Sequence, residues 1–212
     1  MTMFDLSHPI YPGMPIYPGD PQVEFDSALT IPADGAEVTG LHFGTHTGTH
    51  LDAPSHSIPN GQTVDQLDVA LLHGSATVLQ LRHEAAAEQP IGRDNLAQIP
   101  NQLPNIVCIV TGWDQYFHTP QRERHPYIEV GLAELLWQRG ARVLGVDTLS
   151  PDPTAEAADT FPVHQFWLGS GGIIVENLRN LTKLPLQVQM SILPLSLQGL
   201  DGSPIRAIAW AP

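Results

Sequence analysis

Four histidines and an aspartate fall within fifteen residues, in the segment HFGTHTGTHLDAPSH at positions 42–56. Imidazole and carboxylate groups together are the ligands that zinc, manganese and ferrous iron accept in proteins. Any one of these histidines alone is best explained as an ordinary residue whose ring bonds to the backbone. The cluster of His46, His50, Asp52 and His56 instead indicates a metal site.

The residues between the histidines decide which backbone could bring them together. His46 and His50 would share one face of a helix, but the glycines and threonines around them disfavour helix. In an extended chain they again share a face, yet a straight strand would hold them roughly 13 Å apart. We therefore expect the chain to bend at Gly48 and any strand to end before Pro54. His42 lies outside the tighter group.

The number of cysteines distinguishes a structural metal site from a catalytic one. The chain has a single cysteine, Cys108, inside the apolar run NIVCIVTG, where we expect a buried and inert thiol. Structural zinc sites fill four positions with protein ligands, usually including cysteine, whereas catalytic sites leave a position for water and lower its pKa towards 7. A thiolate site is excluded here, so we expect a catalytic ion.

Length and charge narrow the class of protein. The 212 residues are 42% hydrophobic and 15% charged, which predicts one globular domain over 1–212. The formal net charge of −13 repels phosphate backbones and anionic lipid, so we expect neither nucleic-acid nor membrane binding. The N-terminal MTMFDLSHPI has no basic or long apolar run, and we expect a cytoplasmic protein.

The apolar segments predict more strands than helices. Val, Ile and Leu runs bounded by Gly, Pro or Asn predict strands at 23–31, 37–44, 76–81, 105–112, 142–148, 172–178, 186–193 and 205–211. Helical patterns lie at 63–74, 92–99, 131–141 and 160–171. Interspersed strands and helices predict a mixed, strand-rich α/β domain whose strands are buried on both faces.

Residues 46–56 read H-x-G-T-H-x-D-x-P-x-H, which resembles the signature of the cyclase family, a family that includes bacterial kynurenine formamidase and isatin hydrolase. Three further segments resemble the same family: DLSHPIYPGMPIYPGDP, GVDTLSPDP and HQFWLGSGGIIVENLRNLTKLP. The resemblance implies a swivelling β/β/α domain assembled as a homodimer or higher homo-oligomer. It also implies a hydrolase that depends on a divalent metal.

The resemblance further implies roles for individual residues. One ion would be held by His46, His50 and Asp52, and a second by Asp52, His164 and Glu176, with Asp52 bridging. His56 resembles the catalytic acid and base. A carboxylate such as Glu176 in an apolar strand is costly unless it is paired, and a metal supplies the pairing. These ligands suit zinc first and also manganese or ferrous iron, as one or two ions per subunit.

The implied reaction is hydrolysis of a small-molecule amide, with N-formyl-L-kynurenine converted to kynurenine and formate. Tyr17 stands where the formamidases usually carry tryptophan, and its ring can still stack on an aromatic substrate, with Phe43 on the same wall. The alternative within the family is a hydrolase that opens a lactam such as isatin or cleaves a carbamate. A non-catalytic metal-binding protein is the alternative of another class, and His56 argues against it, because a carrier has no use for an uncommitted imidazole.

Overall fold

The computed structural model of the protein describes residues 2–81, 83–154 and 160–211. Over these ranges the chain forms thirteen β-strands, joined by turns, short 3-10 segments and α-helices. The strands are β1 (Met3–Asp5), β2 (Glu24–Leu29), β3 (Val38–His42), β4 (His50–Asp52), β5 (His73–Gln80), β6 (Pro90–Ile91), β7 (Ile106–Val110), β8 (Tyr127–Ile128), β9 (Val143–Val146), β10 (Ile173–Glu176), β11 (Gln187–Ser191), β12 (Gly202–Pro204) and β13 (Ile208–Trp210). The helices are α1 (Ile31–Asp34), α2 (Val130–Gln138) and α3 (Pro162–Gly169).

Nine of these strands form one sheet, in the order β1-β13-β11-β5-β7-β9-β10-β4-β12. The four central strands β5, β7, β9 and β10 are parallel to one another, and the remaining neighbours are antiparallel. Every residue of β7, β9 and β10 is buried, as expected for parallel strands covered on both faces. The predicted mixed α/β fold class is therefore confirmed.

The alternation of side chains along β7 shows how the sheet separates two cores. Ile106, Cys108 and Val110 enter the apolar cluster on one face, while Val107 and Ile109 enter the cluster on the other. Complete burial raises the pKa of the Cys108 thiol to about 12. The thiol therefore stays protonated, as the sequence predicted.

Helices α2 and α3 cover the second of these faces. Leu132 and Leu136 of α2 pack there with Val163 and Trp167 of α3. The indole N–H of Trp167 donates to the carbonyl of Ile173 at 3.0 Å, which ties α3 to β10. This packing fixes the rotation of α3 about its axis.

Within the described ranges, no helix has the length and apolar run needed to cross a bilayer.

The eight predicted strands are confirmed, as are the helices predicted at 131–141 and 160–171. The helices predicted at 63–74 and 92–99 are wrong, because these segments form only 3-10 turns. Polar side chains bond to the local backbone there and stabilise turns instead of helix. The Asp68 carboxylate accepts from the N–H of Ala70 at 2.9 Å, and the Asn95 side chain accepts from the N–H of Gly92 at 2.8 Å.

Strands β2 and β3 form a separate antiparallel hairpin outside the large sheet. Phe25, Leu29, Val38 and Leu41 expose between 37% and 60% of their surface. Exposed apolar side chains grouped on one hairpin in this way are typical of an interaction surface. The hairpin also joins the loop that carries Tyr17 to the histidine motif.

Candidate active site

Two neighbouring strands, β4 and β10, carry the central polar side chains. Glu176 lies opposite His50 in their antiparallel pairing, and Ile174 lies opposite Asp52. Directly opposed residues project from the same face of a sheet, so the carboxylates and the imidazole share one face. Leu51, between the two polar residues of β4, enters the core behind the sheet.

The bend predicted between His46 and His50 is present at Gly48, whose φ of +65° lies in the left-handed region that favours glycine. The Gly48 carbonyl lies 2.8 Å from Nδ1 of His50 and also accepts from Nδ2 of Asn177 at 3.2 Å. Since a carbonyl only accepts, Nδ1 of His50 carries the proton and Nε2 is presented to the site. Strand β4 ends at Asp52, and Pro54 begins a 3-10 turn, as predicted.

His164 reaches the same site from the first turn of α3, where Asp152 holds it. The fully buried Asp152 carboxylate accepts from the backbone N–H groups of Val163 and His164, each at 2.9 Å. It also accepts from Nδ1 of His164 at 2.7 Å. Asp152 thus satisfies the free N–H groups of the helix start and leaves Nε2 of His164 directed at the carboxylates.

His50, Asp52, His164 and Glu176 form a closed group, which we call the donor ring. Nε2 of His50 lies 3.4 Å from Asp52 Oδ1 and 3.3 Å from Glu176 Oε2. Nε2 of His164 lies 3.4 Å from Glu176 Oε1 and 3.7 Å from Asp52 Oδ2. These separations exceed ordinary N–H···O lengths. They are close to the roughly 3.4 Å between two atoms that ligate one tetrahedral ion at about 2.0–2.1 Å.

Three atoms of the donor ring are buried without a hydrogen-bond partner among the described residues: Nε2 of His50, Oδ2 of Asp52 and Oε1 of Glu176. A buried polar atom without a partner costs about 1–3 kcal/mol, and more when it is charged. His50, Asp52 and Glu176 each offer a ligand atom, and these atoms lie within 4.8 Å of one another. The donor ring therefore fits a divalent cation in both spacing and chemistry.

The electrostatics of the donor ring favour positive charge. Burial opposes ionisation of Asp52, but contacts with His164, His46 and His50 bring the pKa of its carboxyl well below the usual range. Burial likewise opposes protonation of His50, yet Asp52 and Glu176 raise its pKa to about 10. Both shifts have one cause, because the buried carboxylates and imidazoles stabilise one another's charged forms. Protons and a metal ion would therefore compete for the same donor atoms of the ring.

A second group, which we call the rim, consists of His46, His56 and Asp201. His46 lies between carboxylates, with Nδ1 2.7 Å from Asp52 Oδ1 and Nε2 2.8 Å from Asp201 Oδ2. Burial opposes protonation of His46, but these two bonds raise its pKa to about 9. Nδ1 of His56 lies 3.3 Å from the same Asp201 oxygen. His46, Asp52 and His56 form a second set of ligand atoms within 4.8 Å of one another.

The donor ring and the rim open into a cavity of about 490 Å³. This volume is within the range of small-molecule sites. One end of the cavity is polar and carries the imidazoles and Glu176. Most of the remaining lining is apolar or aromatic and consists of Pro15, Ile16, Tyr17, Pro18, Phe117, Leu149 and Phe161. Its polar members are Asp20, Ser57, Ser150 and Asn177.

The predicted ligands and His56 are brought together from distant parts of the sequence, and Tyr17 lines the cavity with them. Phe43 is placed differently from the prediction. It lies outside the cavity lining and packs against the cluster of Met14, Val23 and Phe117. Its side chain therefore contacts the cavity lining only through this cluster, which includes the lining residue Phe117. The roles of the individual residues stay predictions.

Sequence reasoning missed Asp152 and Asp201. Asp152 lies in the segment GVDTLSPDP, where nothing local marks it as the partner of a histidine twelve positions further on. Asp201 lies in the turn LDGSP, where an Asp-Gly pair indicates a turn and no more. Both act through contacts formed only in the folded chain.

The sequence model of the "Cyclase" family matches residues 4–153 of this chain. The chain belongs to the cyclase family. The match includes the histidine motif and stops before α3. The family model thus covers His50 and Asp52 of the donor ring, while His164 and Glu176 lie beyond it and are placed by the structure.

Relatives of the cyclase family match over nearly the full chain. The kynurenine formamidase of Geobacillus thermodenitrificans is 33% identical over 205 residues, covering 96% of this chain and 94% of the relative. That of Salinibacter ruber is 27% identical, covering 98% and 97%.

Solved structures of hydrolases share the fold of this chain. Isatin hydrolase A from Labrenzia aggregata has a TM-score of 0.84 at 22% identity, covering 99% of this chain and 93% of its own. A predicted metal-dependent hydrolase from Bacillus stearothermophilus has a TM-score of 0.79 at 26% identity, covering 98% and 97%.

Proposed function

We propose that this cyclase-family chain is a metal-dependent amide hydrolase that cleaves N-formyl-L-kynurenine to kynurenine and formate. The observation that carries the proposal is the donor ring, with three unpartnered buried atoms, opening into an aromatic cavity beside His56. The formamidases that match over nearly the whole chain support the same reaction.

His50, Asp52, His164 and Glu176 would hold the metal, with His46 joining them if one of its carboxylate bonds is exchanged. Nitrogen and oxygen donors at nearly tetrahedral spacing favour zinc, with manganese as the second choice. Asp52, a member of the donor ring, also contacts His46 of the rim, and this shared carboxylate allows a second ion. When bound, a divalent ion polarises an amide carbonyl and lowers the pKa of a water molecule towards neutrality.

His56 would move the protons of the reaction. Its Nδ1 faces an ionised Asp201 and must donate, so Nε2 carries the lone pair. Nε2 would accept a proton from the attacking water and return it to the departing amine nitrogen. Asp52 and Glu176 are unsuited to this role, because their surroundings keep both carboxylates ionised.

The cavity walls fit an aromatic amide. Tyr17, Phe117 and Phe161 offer aromatic faces that could stack on the aryl ring of the substrate. No lysine or arginine lines the cavity within the described part of the chain, and its lining carboxylates are Asp20 and Glu176. Asp20 suits the ammonium group of formylkynurenine.

The second candidate is hydrolysis of a neutral lactam such as isatin. Two observations favour it: Tyr17 replaces the larger tryptophan expected of a formamidase, and no cationic side chain among the described lining residues receives a substrate carboxylate. Turnover of formylkynurenine and of isatin by the zinc- and manganese-loaded protein separates the two. Tight metal binding without hydrolysis of any amide or lactam would instead indicate a metal-binding protein.

His56→Ala tests the proposed chemistry. Loss of a general acid and base lowers turnover by about 10²–10⁴-fold, and we expect the metal content per chain to stay at the wild-type value. His73→Ala, at an exposed position in β5, is the matched control. Retention of wild-type turnover by His56→Ala would contradict the assignment.

We also propose a homodimer formed through the β2–β3 hairpin. The exposed side chains of Phe25, Leu29, Val38 and Leu41 support a second copy as its partner, since a monomer would leave them in water. Sedimentation of wild type and Leu41→Glu tests this. We expect a dimer that dissociates in the variant, and a monomeric wild type would contradict it.

A further inference from the structure

Asp201 contacts both imidazoles of the rim, His46, which is a candidate metal ligand, and His56, which is the proposed acid and base. Its Oδ2 lies 2.8 Å from Nε2 of His46 and 3.3 Å from Nδ1 of His56. Its Oδ1 accepts from the Thr45 hydroxyl at 3.1 Å. The oxygens of a carboxylate accept hydrogen bonds, so each nitrogen that faces Asp201 Oδ2 donates.

The backbone holds Asp201 in this place. Its carbonyl accepts from the N–H of Ala53 at 2.8 Å, and the carbonyl of Leu200 accepts from the N–H of Val64 at 2.9 Å. Strand β12 begins at the next residue, with Gly202 opposite Asp52. The carboxylate is therefore fixed against the segment that carries His56, although the two residues lie 145 positions apart.

We propose that Asp201 is the positioning residue of His56. The carboxylate fixes the Nδ1–H tautomer, so that the lone pair on Nε2 is free to take a proton from water. This inference rests on the proposed role of His56 as acid and base. Asp201 acts through the imidazole and is not among the described residues that line the cavity.

Two features of the site favour His56 over His46 as the residue that depends on Asp201. His46 has a second carboxylate, Asp52, on its other nitrogen at 2.7 Å and keeps its orientation without Asp201. Nδ1 of His56 has Asp201 as its hydrogen-bond partner, and the described residues supply no other. The His56 side chain is one-third exposed, with a relative accessibility of 33%, so without this bond water would compete for its orientation.

The direct test measures the tautomer of His56. We would record long-range ¹H–¹⁵N spectra of zinc-loaded protein with ¹⁵N-labelled histidine, and assign His56 by its loss in His56→Ala. We expect Nδ1–H in wild type and a mixture of tautomers in Asp201→Asn, whose side chain is of equal size. Thr45→Val should keep the wild-type tautomer, because it leaves Oδ2 in place. An unchanged His56 signal in Asp201→Asn would overturn the inference, whether or not the protein hydrolyses any amide.

The kinetic test is a double-mutant cycle. Asp201→Asn should lower kcat by about 10- to 100-fold with little change in KM and an unchanged zinc content. In the His56→Ala background the same substitution should change kcat less than about twofold, since residues that act as a unit are not additive. Equal losses in both backgrounds, or loss of zinc without a tautomer change, would overturn the inference.

The matched control is Asp65→Asn. The Asp65 carboxylate accepts from the N–H of Gly199 at 2.9 Å and so holds the same loop, but it is bonded to no imidazole. We expect wild-type kcat and a wild-type His56 spectrum. A loss equal to that of Asp201→Asn would assign the effect to the loop and overturn the inference. Absence of hydrolysis by wild type would contradict the proposed function alone, because the nitrogen spectrum still decides the role of Asp201.

Discussion

The donor ring and the rim use the same chemical groups in different surroundings. His50 and His164 are nearly completely buried, and each has its own acceptor on Nδ1, the Gly48 carbonyl and Asp152 respectively. His46 and His56 are more exposed and share one half-exposed carboxylate, Asp201. Burial with a dedicated acceptor fixes an imidazole as a ligand, whereas exposure with a shared acceptor leaves it able to exchange protons.

The comparison predicts that substitutions in the donor ring and in the rim have different effects on metal content and turnover. Damage to the donor ring should remove the metal and activity together. Damage to the rim should lower turnover and leave the metal in place.

The largest effect is expected from Glu176→Gln, which replaces a buried carboxylate of the donor ring by a neutral amide. The site loses a negative charge facing His50 and His164. Metal content should fall, and turnover should fall by roughly a thousandfold or more, since metal catalysis supplies several kcal/mol. Metal analysis and amide hydrolysis measure this, with Glu134→Gln on the exposed face of α2 as the control. Full metal occupancy in Glu176→Gln would contradict the donor ring as the binding site.

Asp152→Asn should have the next largest effect. It weakens the acceptor that fixes the tautomer of His164, and such changes cost about 10–100-fold in metal affinity. Titration with zinc against a competing chelator measures the affinity. Asp94→Asn, in an exposed turn, should behave as wild type. Equal affinities in Asp152→Asn and wild type would show that burial alone orients His164.

Gly202→Ala would crowd His46, a member of the rim, from strand β12. A Cβ at Gly202 would lie 2.7 Å from Cε1 of His46 and 2.9 Å from the carbonyl of Leu51. Overpacking of this kind costs about 1–3 kcal/mol of stability. We expect a lower Tm and about tenfold lower kcat, with most of the metal retained, and Gly131→Ala, which has open space around its Cβ, should be neutral. Complete loss of metal would show that His46 belongs functionally to the donor ring.

The smallest effect is expected far from the site, at Asp5. Its partial burial opposes ionisation, but hydrogen bonds from Arg206, the Ser7 N–H and Arg179 outweigh this and lower the pKa of the carboxyl. A lowered folded-state pKa means that the stabilisation is fully present above the unfolded value of about 3.9 and is lost as pH falls from there through the lower folded-state pKa. Asp5→Asn should therefore be slightly less stable than wild type at pH 7, and the difference should be smaller at pH 3. Urea unfolding at both pH values measures this, and an equal difference at both would contradict the ion pairs as its cause.

The difference between ring and rim also explains what the sequence could predict. His46, His50, Asp52 and His56 stand within one short motif, so residue type and spacing identify them. The family resemblance added His164 and Glu176. No sequence pattern pairs Asp152 with His164 or Asp201 with His56, because these contacts arise from tertiary packing.

The fold shows the same division between local and long-range signals. The central strands have continuous apolar runs and were predicted. Strands β1, β4 and β12 have three residues each, and β6 and β8 have two. Segments this short carry too few residues for a periodic pattern, and their strand conformation comes from pairing with neighbours.

The position of β4 also constrains the order in which the molecule can be assembled. Strand β4 comes from the first quarter of the chain, yet both of its neighbours, β10 and β12, come from the last quarter. The polar side chains of β4 therefore have no partners from β10 or β12 on a nascent chain until those later strands have left the ribosome. Closing such long loops slows folding, so the donor ring forms late, and a metal ion bound there would lock the early and late segments of the polypeptide together.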